Sequence, residues 1–81
     1  MDKEMVLKRI TIDSSICGGK PVIRGMRIRV TDVLELMAAG LSMEQIVEEL
    51  PDLEPDDVQA CLLYVIQRFD HPVVISSSSA A

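Results

Sequence analysis

LSMEQIVEELPDLEPDDVQACLLYVIQRF, residues 41–69, is the stretch that decides the fold. Ser42 is a good helix N-cap, and Gln45 three residues later completes a capping box. Met43, Ile46, Val47 and Leu50 recur at helical spacing and give one apolar face, which Pro51 stops. After a short turn around Pro51 and Leu53, Pro55 takes the first position of a longer helix. Asp56 and Asp57 follow in its first turn, where the positive end of the helix dipole favours them, and Glu54 occupies the cap. Val58, Cys61, Leu62, Val65, Ile66 and Phe69 make the expected buried face, with Leu63 and Tyr64 off that stripe. A short helix, a turn and a longer helix is the order of a helix-turn-helix, and equally of a helical hairpin in a small bundle.

Working upstream, Gly40 is placed to end a preceding helix, with Thr31 as its expected N-cap and Asp32 in its first turn. Val33, Leu34, Met37 and Ala38 form that helix's apolar stripe. Before it, Met26–Val30 alternates apolar Ile28 and Val30 with Arg27 and Arg29, and Pro21-Val22-Ile23 lies across an Arg24-Gly25 turn. Two apolar runs about a glycine predict a β-hairpin. Lys8–Asp13, with Ile10 and Ile12 on one face, predicts a further strand. The expected class is α+β, mostly α: a short N-terminal hairpin or small sheet, then a three-helix, homeodomain-like helix-turn-helix unit. One domain is expected over residues 8–75, with a disordered N-terminus at 1–7. Val73-Val74-Ile75 reads as a short extended piece, and the Ser/Ala run at 76–81 as a disordered tail.

The chain has 81 residues, enough for one domain that is marginal alone. Hydrophobic residues make up 48%, yet Tyr64 and Phe69 are the only aromatic ones, so the core must be aliphatic. A homodimer that extends so small a core is therefore expected. The net charge of −5 argues against non-specific nucleic-acid binding by the whole chain. That charge is split: residues 1–30 carry seven of the eight basic side chains, and all but three of the acids lie beyond residue 30. A basic head on an acidic body offers surfaces to two different partners. No apolar run is long enough to span a membrane, and none follows the N-terminus as a secretory signal would, so a cytoplasmic protein is expected.

Little in the sequence speaks for catalysis, and no enzyme and no cofactor are expected. Gly18-Gly19-Lys20 lacks the P-loop spacing, and Pro21 stands where that loop needs a hydroxyl. Cys17 and Cys61 have neither disulfide nor zinc spacing, and His71, the single histidine, sits far from both. The acids at the start of the last helix would meet a line of phosphates and be repelled, which argues against reading a DNA groove with that end. Lys20, Arg24, Arg27 and Arg29 of the hairpin are the better nucleic-acid candidates, with Gln59 as a polar reader on the helix. The same charges also suit a solvated sheet face protected against edge aggregation.

Taken together, RITIDSSICGGKPVIRGMRIRV and VLELMAAGLSMEQIVEELPDLEPDDVQACL closely resemble the domain of unknown function 433 family over about residues 8–68. The strongest pieces are the G-K-P-V-I-x-G-x-R-I-x-V segment at Gly19–Val30, A-G-x-S at Ala39–Ser42, and P-D-L at Pro51–Leu53. The resemblance implies a small prokaryotic protein with a helix-turn-helix core, of a kind proposed to act as antitoxins beside PIN-like nuclease toxins. Met26 stands where the family usually has Thr, and Ser14 where it usually has Pro. The partners so implied are a nuclease-type toxin and operator DNA; the alternative is a homodimeric interaction module that never touches DNA. Leu63 and Tyr64 are the candidate dimer contacts. Val73, Val74 and Ile75 are candidates for docking on a toxin, and Arg24 or Arg27 for entering its cleft.

Overall fold

A computed structural model describes residues 2–70; the expectations for Val73–Ile75 and for 76–81 lie outside the described residues. The described chain runs α1 (Lys3–Leu7), β1 (Ile10–Thr11), a 3-10 turn (Cys17–Gly19), β2 (Val22–Ile23), α2 (Val30–Ala38), α3 (Met43–Glu49) and α4 (Pro55–Phe69). β1 and β2 pair antiparallel, with Ile10 opposite Ile23 and Thr11 opposite Val22. An antiparallel bridge joins Val22 to Arg29 on the other side of β2. The expected hairpin is therefore present as a bridge and not as a full ladder. The Met26 N–H closes its turn on the Ile23 carbonyl at 2.8 Å, and the Ile23 N–H donates to the Ile28 carbonyl at 3.0 Å.

The turn needs left-handed backbone at Arg24 (φ 47°) and Gly25 (φ 72°). Glycine adopts this freely and arginine does not, so Arg24 must be held there by its contacts. The hydroxyl bonded to this turn belongs to Thr11, whose Oγ1 accepts from the Gly25 N–H at 2.9 Å. Met26 packs half-buried against the core.

The helix ends follow their caps. α2 closes in a Schellman motif: the Leu41 N–H reaches the Leu36 carbonyl at 3.1 Å, the Gly40 N–H reaches Met37 at 2.9 Å, and Gly40 takes φ 98°. Ser42 and Gln45 form the expected capping box, with the Ser42 N–H donating to Gln45 Oε1 at 2.8 Å and the Gln45 N–H to Ser42 Oγ at 3.2 Å. α2 starts at Val30 with Arg29 as its cap, two positions before the expected Thr31 cap, because the Arg29 N–H donates to Asp32 Oδ2 at 2.8 Å.

Ile23, Val30, Val33, Ile46, Leu53, Val58 and Cys61 form the core, where β2, the three longer helices and the turn before α4 meet. Two expectations need correction here. Residues 3–7, expected to be disordered, form α1: the Asp2 carboxylate caps it by accepting from the Glu4 N–H at 3.0 Å, and Val6 is buried as α1 packs on α4. The expected buried face of α4 is right at Val58 and Cys61 but not at its far end. Leu62, Ile66 and Phe69 are exposed, while Asp57 and Ala60 are buried and Tyr64 and Val65 pack against the core. α4 is longer than the layer it covers, so its apolar residues outnumber the places inside.

Candidate functional site

Asp57, at the third position of α4, is fully buried, and three residues donate four hydrogen bonds to its carboxylate. Arg24 binds it in bidentate fashion, Nε to Oδ1 at 3.0 Å and Nη2 to Oδ2 at 2.7 Å. Arg9 Nη1 donates to Oδ1 at 3.0 Å, and the Glu54 N–H to Oδ2 at 2.8 Å. The outer shell is looser: Arg9 also reaches Glu54 at 2.9 Å and Asp56 at 3.7 Å, and Arg24 Nη2 donates to the Asp52 carbonyl at 3.0 Å. Bidentate pairing of this kind is strong and fixes geometry as well as charge. It holds Arg24 in its left-handed conformation and pins the turn to the start of α4. Burial pushes the Asp57 carboxyl up, but the bonds from Arg24, the Glu54 N–H and Arg9 outweigh it and hold the group below the usual carboxylate range.

The sequence-derived basic candidates separate into two groups. Arg24 turns inward to Asp57, and Arg29 pairs with Asp32 at 2.7 Å across the start of α2. Arg27 and Lys20 are exposed, and among the described residues neither makes an ion pair. Lys20 edges a groove of about 310 Å³ with Pro21, Val30, Leu34, Tyr64 and Val65. Arg27 edges another, of about 460 Å³, beside Asp32, Glu35 and Leu50. Gln59 is half-buried on α4. Leu63 is half-buried, and the Arg68 guanidinium lies 5.6 Å from the centre of the Tyr64 ring. Arg9 and Asp57, the residues that organise this end of the molecule, were missed as a pair by sequence reasoning. They lie 48 residues apart, and no local pattern connects them.

A second surface lies along α4. Pro55, Gln59, Leu62, Ile66 and Phe69 alternate at spacings of four and three, which places them on one stripe of the helix. Ile66 is 59% exposed and Phe69 84%. At the start of the stripe, Pro55 joins Met43, Glu44 and Val47 around a shallow, mainly apolar groove of about 540 Å³. Both cysteines are free thiols, and burial pushes Cys61 up to about 12.

The family model described as "Protein of unknown function (DUF433)" matches residues 10–65. The chain belongs to the DUF433 family. A solved structure of a DUF433 member from Anabaena variabilis superposes with a TM-score of 0.72 at 27% identity, over 83% of this chain and 66% of that one. An uncharacterised Sinorhizobium fredii protein, y4eO, is 38% identical over 55 residues, 68% of this chain. This DUF433 chain spans only 25% of that relative's length and just under two thirds of the Anabaena chain. The matched region runs from β1 to Val65, so it includes Arg24 and Asp57 and ends before Ile66 and Phe69.

Proposed function

We propose that this DUF433 protein is a non-catalytic binding module of the antitoxin type, acting in the cytoplasm, which restrains a nuclease-type toxin by protein–protein contact. The observation that carries this is the inward pairing of the basic head. Arg9, Arg24 and Arg29 are spent on Asp57, Glu54, Asp56 and Asp32, within the molecule. Glu35, Glu44, Glu48, Glu49 and Asp52 remain exposed and, among the described residues, make no ion pair. The outer face of α2 and α3 is thus acidic and complements the basic rim that an RNA-cleaving toxin needs around its cleft. The start of α4 is acidic and tied up by Arg9 and Arg24, so the helix-turn-helix order here serves packing and partner binding, not groove reading. Free thiols suit a reducing compartment.

Co-expression with the product of the adjacent reading frame tests this. The two proteins co-purify at low salt, and Glu44→Lys with Glu48→Lys and Glu49→Lys releases the toxin and restores its nuclease activity. A complex that forms normally with all three reversals refutes the acidic face as the contact.

A second reading, operator DNA bound through the hairpin loop, is favoured by the exposure of Lys20 and Arg27 without ion-pair partners. Under it, Arg27→Ala lowers the slope of log affinity against log salt by ~0.9 for one lost phosphate contact, while Gln59→Ala changes nothing.

A further inference from the structure

We propose that α4 is a homodimerisation helix: two copies pack antiparallel along the stripe Pro55–Gln59–Leu62–Ile66–Phe69, and Phe69 of each copy fills the Met43–Val47–Pro55 groove of the other. The proposal stands apart from the toxin reading, which uses the acidic face of α2 and α3; the two meet only at Glu44, on the edge of the groove.

Spacing is the first reason. Steps of four, three, four and three residues are those of a coiled-coil seam, in which side chains of one helix seat between those of its neighbour. Leu62 is its midpoint. A two-fold axis there sets Leu62 against its own copy and brings position 69 opposite position 55.

The ends of the stripe are the second reason. Its last residue, Phe69, is the most exposed large apolar side chain of the molecule's described part, at 84%. Its first, Pro55, lines the apolar groove with Met43 and Val47. The two lie fourteen residues apart on one helix, roughly 21 Å. Only an antiparallel pairing delivers each phenyl ring to a groove, and it does so twice, as an isologous interface requires. A parallel pairing sets ring against ring and leaves both grooves empty.

Charge and area are the third. Between Asp56 and Asp70 the stripe side of α4 carries Gln59, Leu62, Leu63, Ile66, Gln67 and Phe69, none of them charged, on a chain of net charge −5; the exposed Arg68 lies on another side of the helix, beside Tyr64. Like-charged copies can meet only across an uncharged face, and glutamine amides both donate and accept, so they suit a copy of themselves. With Leu62 39% and Met43 37% exposed beside Ile66 and Phe69, each copy offers on the order of 400 Å² of apolar surface. With its polar rim, that makes the centre of an interface at the small end of the ~1,200–2,000 Å² range for stable association. Leu63 falls at the rim, and Tyr64 belongs to the core.

Sedimentation equilibrium of the full chain at roughly 100 μM tests the proposal, with far-ultraviolet circular dichroism to confirm folding. The expected result is a dimer. Phe69→Ala weakens it at least tenfold, as loss of an aromatic anchor does. Ile66→Glu yields a folded monomer. Asp70→Lys tightens the dimer, because antiparallel packing sets residue 70 near Asp56 of the second copy; in a parallel dimer it would set lysine against lysine and weaken it. A full chain that stays monomeric overturns the proposal. If truncation after Asp70 then produces a dimer, the chain's own C-terminal segment is the occupant of the stripe. A dimer indifferent to both Ile66→Glu and Phe69→Ala places the interface elsewhere and overturns it equally.

Discussion

Replacing Asp57 with Ala should be the most damaging single change in the basic–acidic cluster. The carboxylate has no exposure and accepts from Arg24, Arg9 and the Glu54 N–H. A hydrogen bond to a charged group contributes about 1.5–3 kcal/mol, and loss of a helix-cap bond costs about 1 kcal/mol. The full sum overstates the effect. The Arg9 and Arg24 side chains keep 26% and 37% of their exposure, so water takes over part of their solvation when the carboxylate goes. A net loss of about 3 kcal/mol follows, out of the roughly 4–10 kcal/mol that a domain of this size has in total. In urea, at about 1 kcal/mol per molar, the unfolding midpoint falls by about 3 M, read by circular dichroism at 222 nm. Glu54→Ala and Asp56→Ala are the controls: both side chains are 61% exposed, so each costs about 0.5 kcal/mol or less. Asp57→Asn keeps an acceptor for the Glu54 N–H but loses the charge, and falls between. The pH dependence has a definite sign. Asp57 is held below its ordinary value in the fold, so its contribution is whole above the unfolded value of about 4 and disappears as pH falls through the folded one. The stability gap between wild type and Asp57→Asn therefore holds from pH 5 to 8, as a range of about three units, and narrows below about pH 4. An Asp57→Ala variant no less stable than Asp56→Ala refutes the reasoning.

Gly40→Ala meets no atom within 4 Å but must adopt φ 98°, so it costs about 1 kcal/mol by urea unfolding, through backbone strain alone. Arg27→Ala leaves the unfolding midpoint unchanged, whereas Arg29→Ala loses the bond to Asp32 at the start of α2 and lowers it. Of the two thiols, half-buried Cys17 reacts with a maleimide in the native protein; Cys61, buried and pushed up to about 12, reacts only after denaturant is added.

Elements whose signals are local were legible in the sequence. The Ser42–Gln45 box, the Gly40 terminus, Pro55 at the start of α4 and the Arg24-Gly25 turn each depend on residues within a few positions of one another, and each stands where the chain alone put it. Long-range features were hidden. α1 is only five residues long, too short to show a period, and what orders it is Val6 meeting α4 at the other end of the sequence. The faces of α4 could not be told apart because apolar residues surround it: Val58, Cys61 and Val65 point one way, and Leu62, Ile66 and Phe69 another. Periodicity identifies a helix but does not choose between two apolar faces. The basic head read as a binding surface because its charges were counted without their partners; Asp57 claims Arg24, and Asp32 claims Arg29.

The Asp57 carboxylate also acts as a clasp. Through Arg24 and Arg9 it closes loops of 33 and 48 residues on one side chain, in the first turn of the longest helix. Neither half of the molecule owns the closure. A fragment ending near Gly40 would keep two arginines with nothing to grip, and one beginning at Leu41 would keep a carboxylate whose desolvation nothing offsets. Sheet and last helix therefore form and melt as one cooperative unit. In native-state hydrogen exchange, the Arg24 amide, bonded to the Arg9 carbonyl, and the first bonded amides of α4 should open together. Cutting this chain in two would leave two pieces that recover order only on meeting each other.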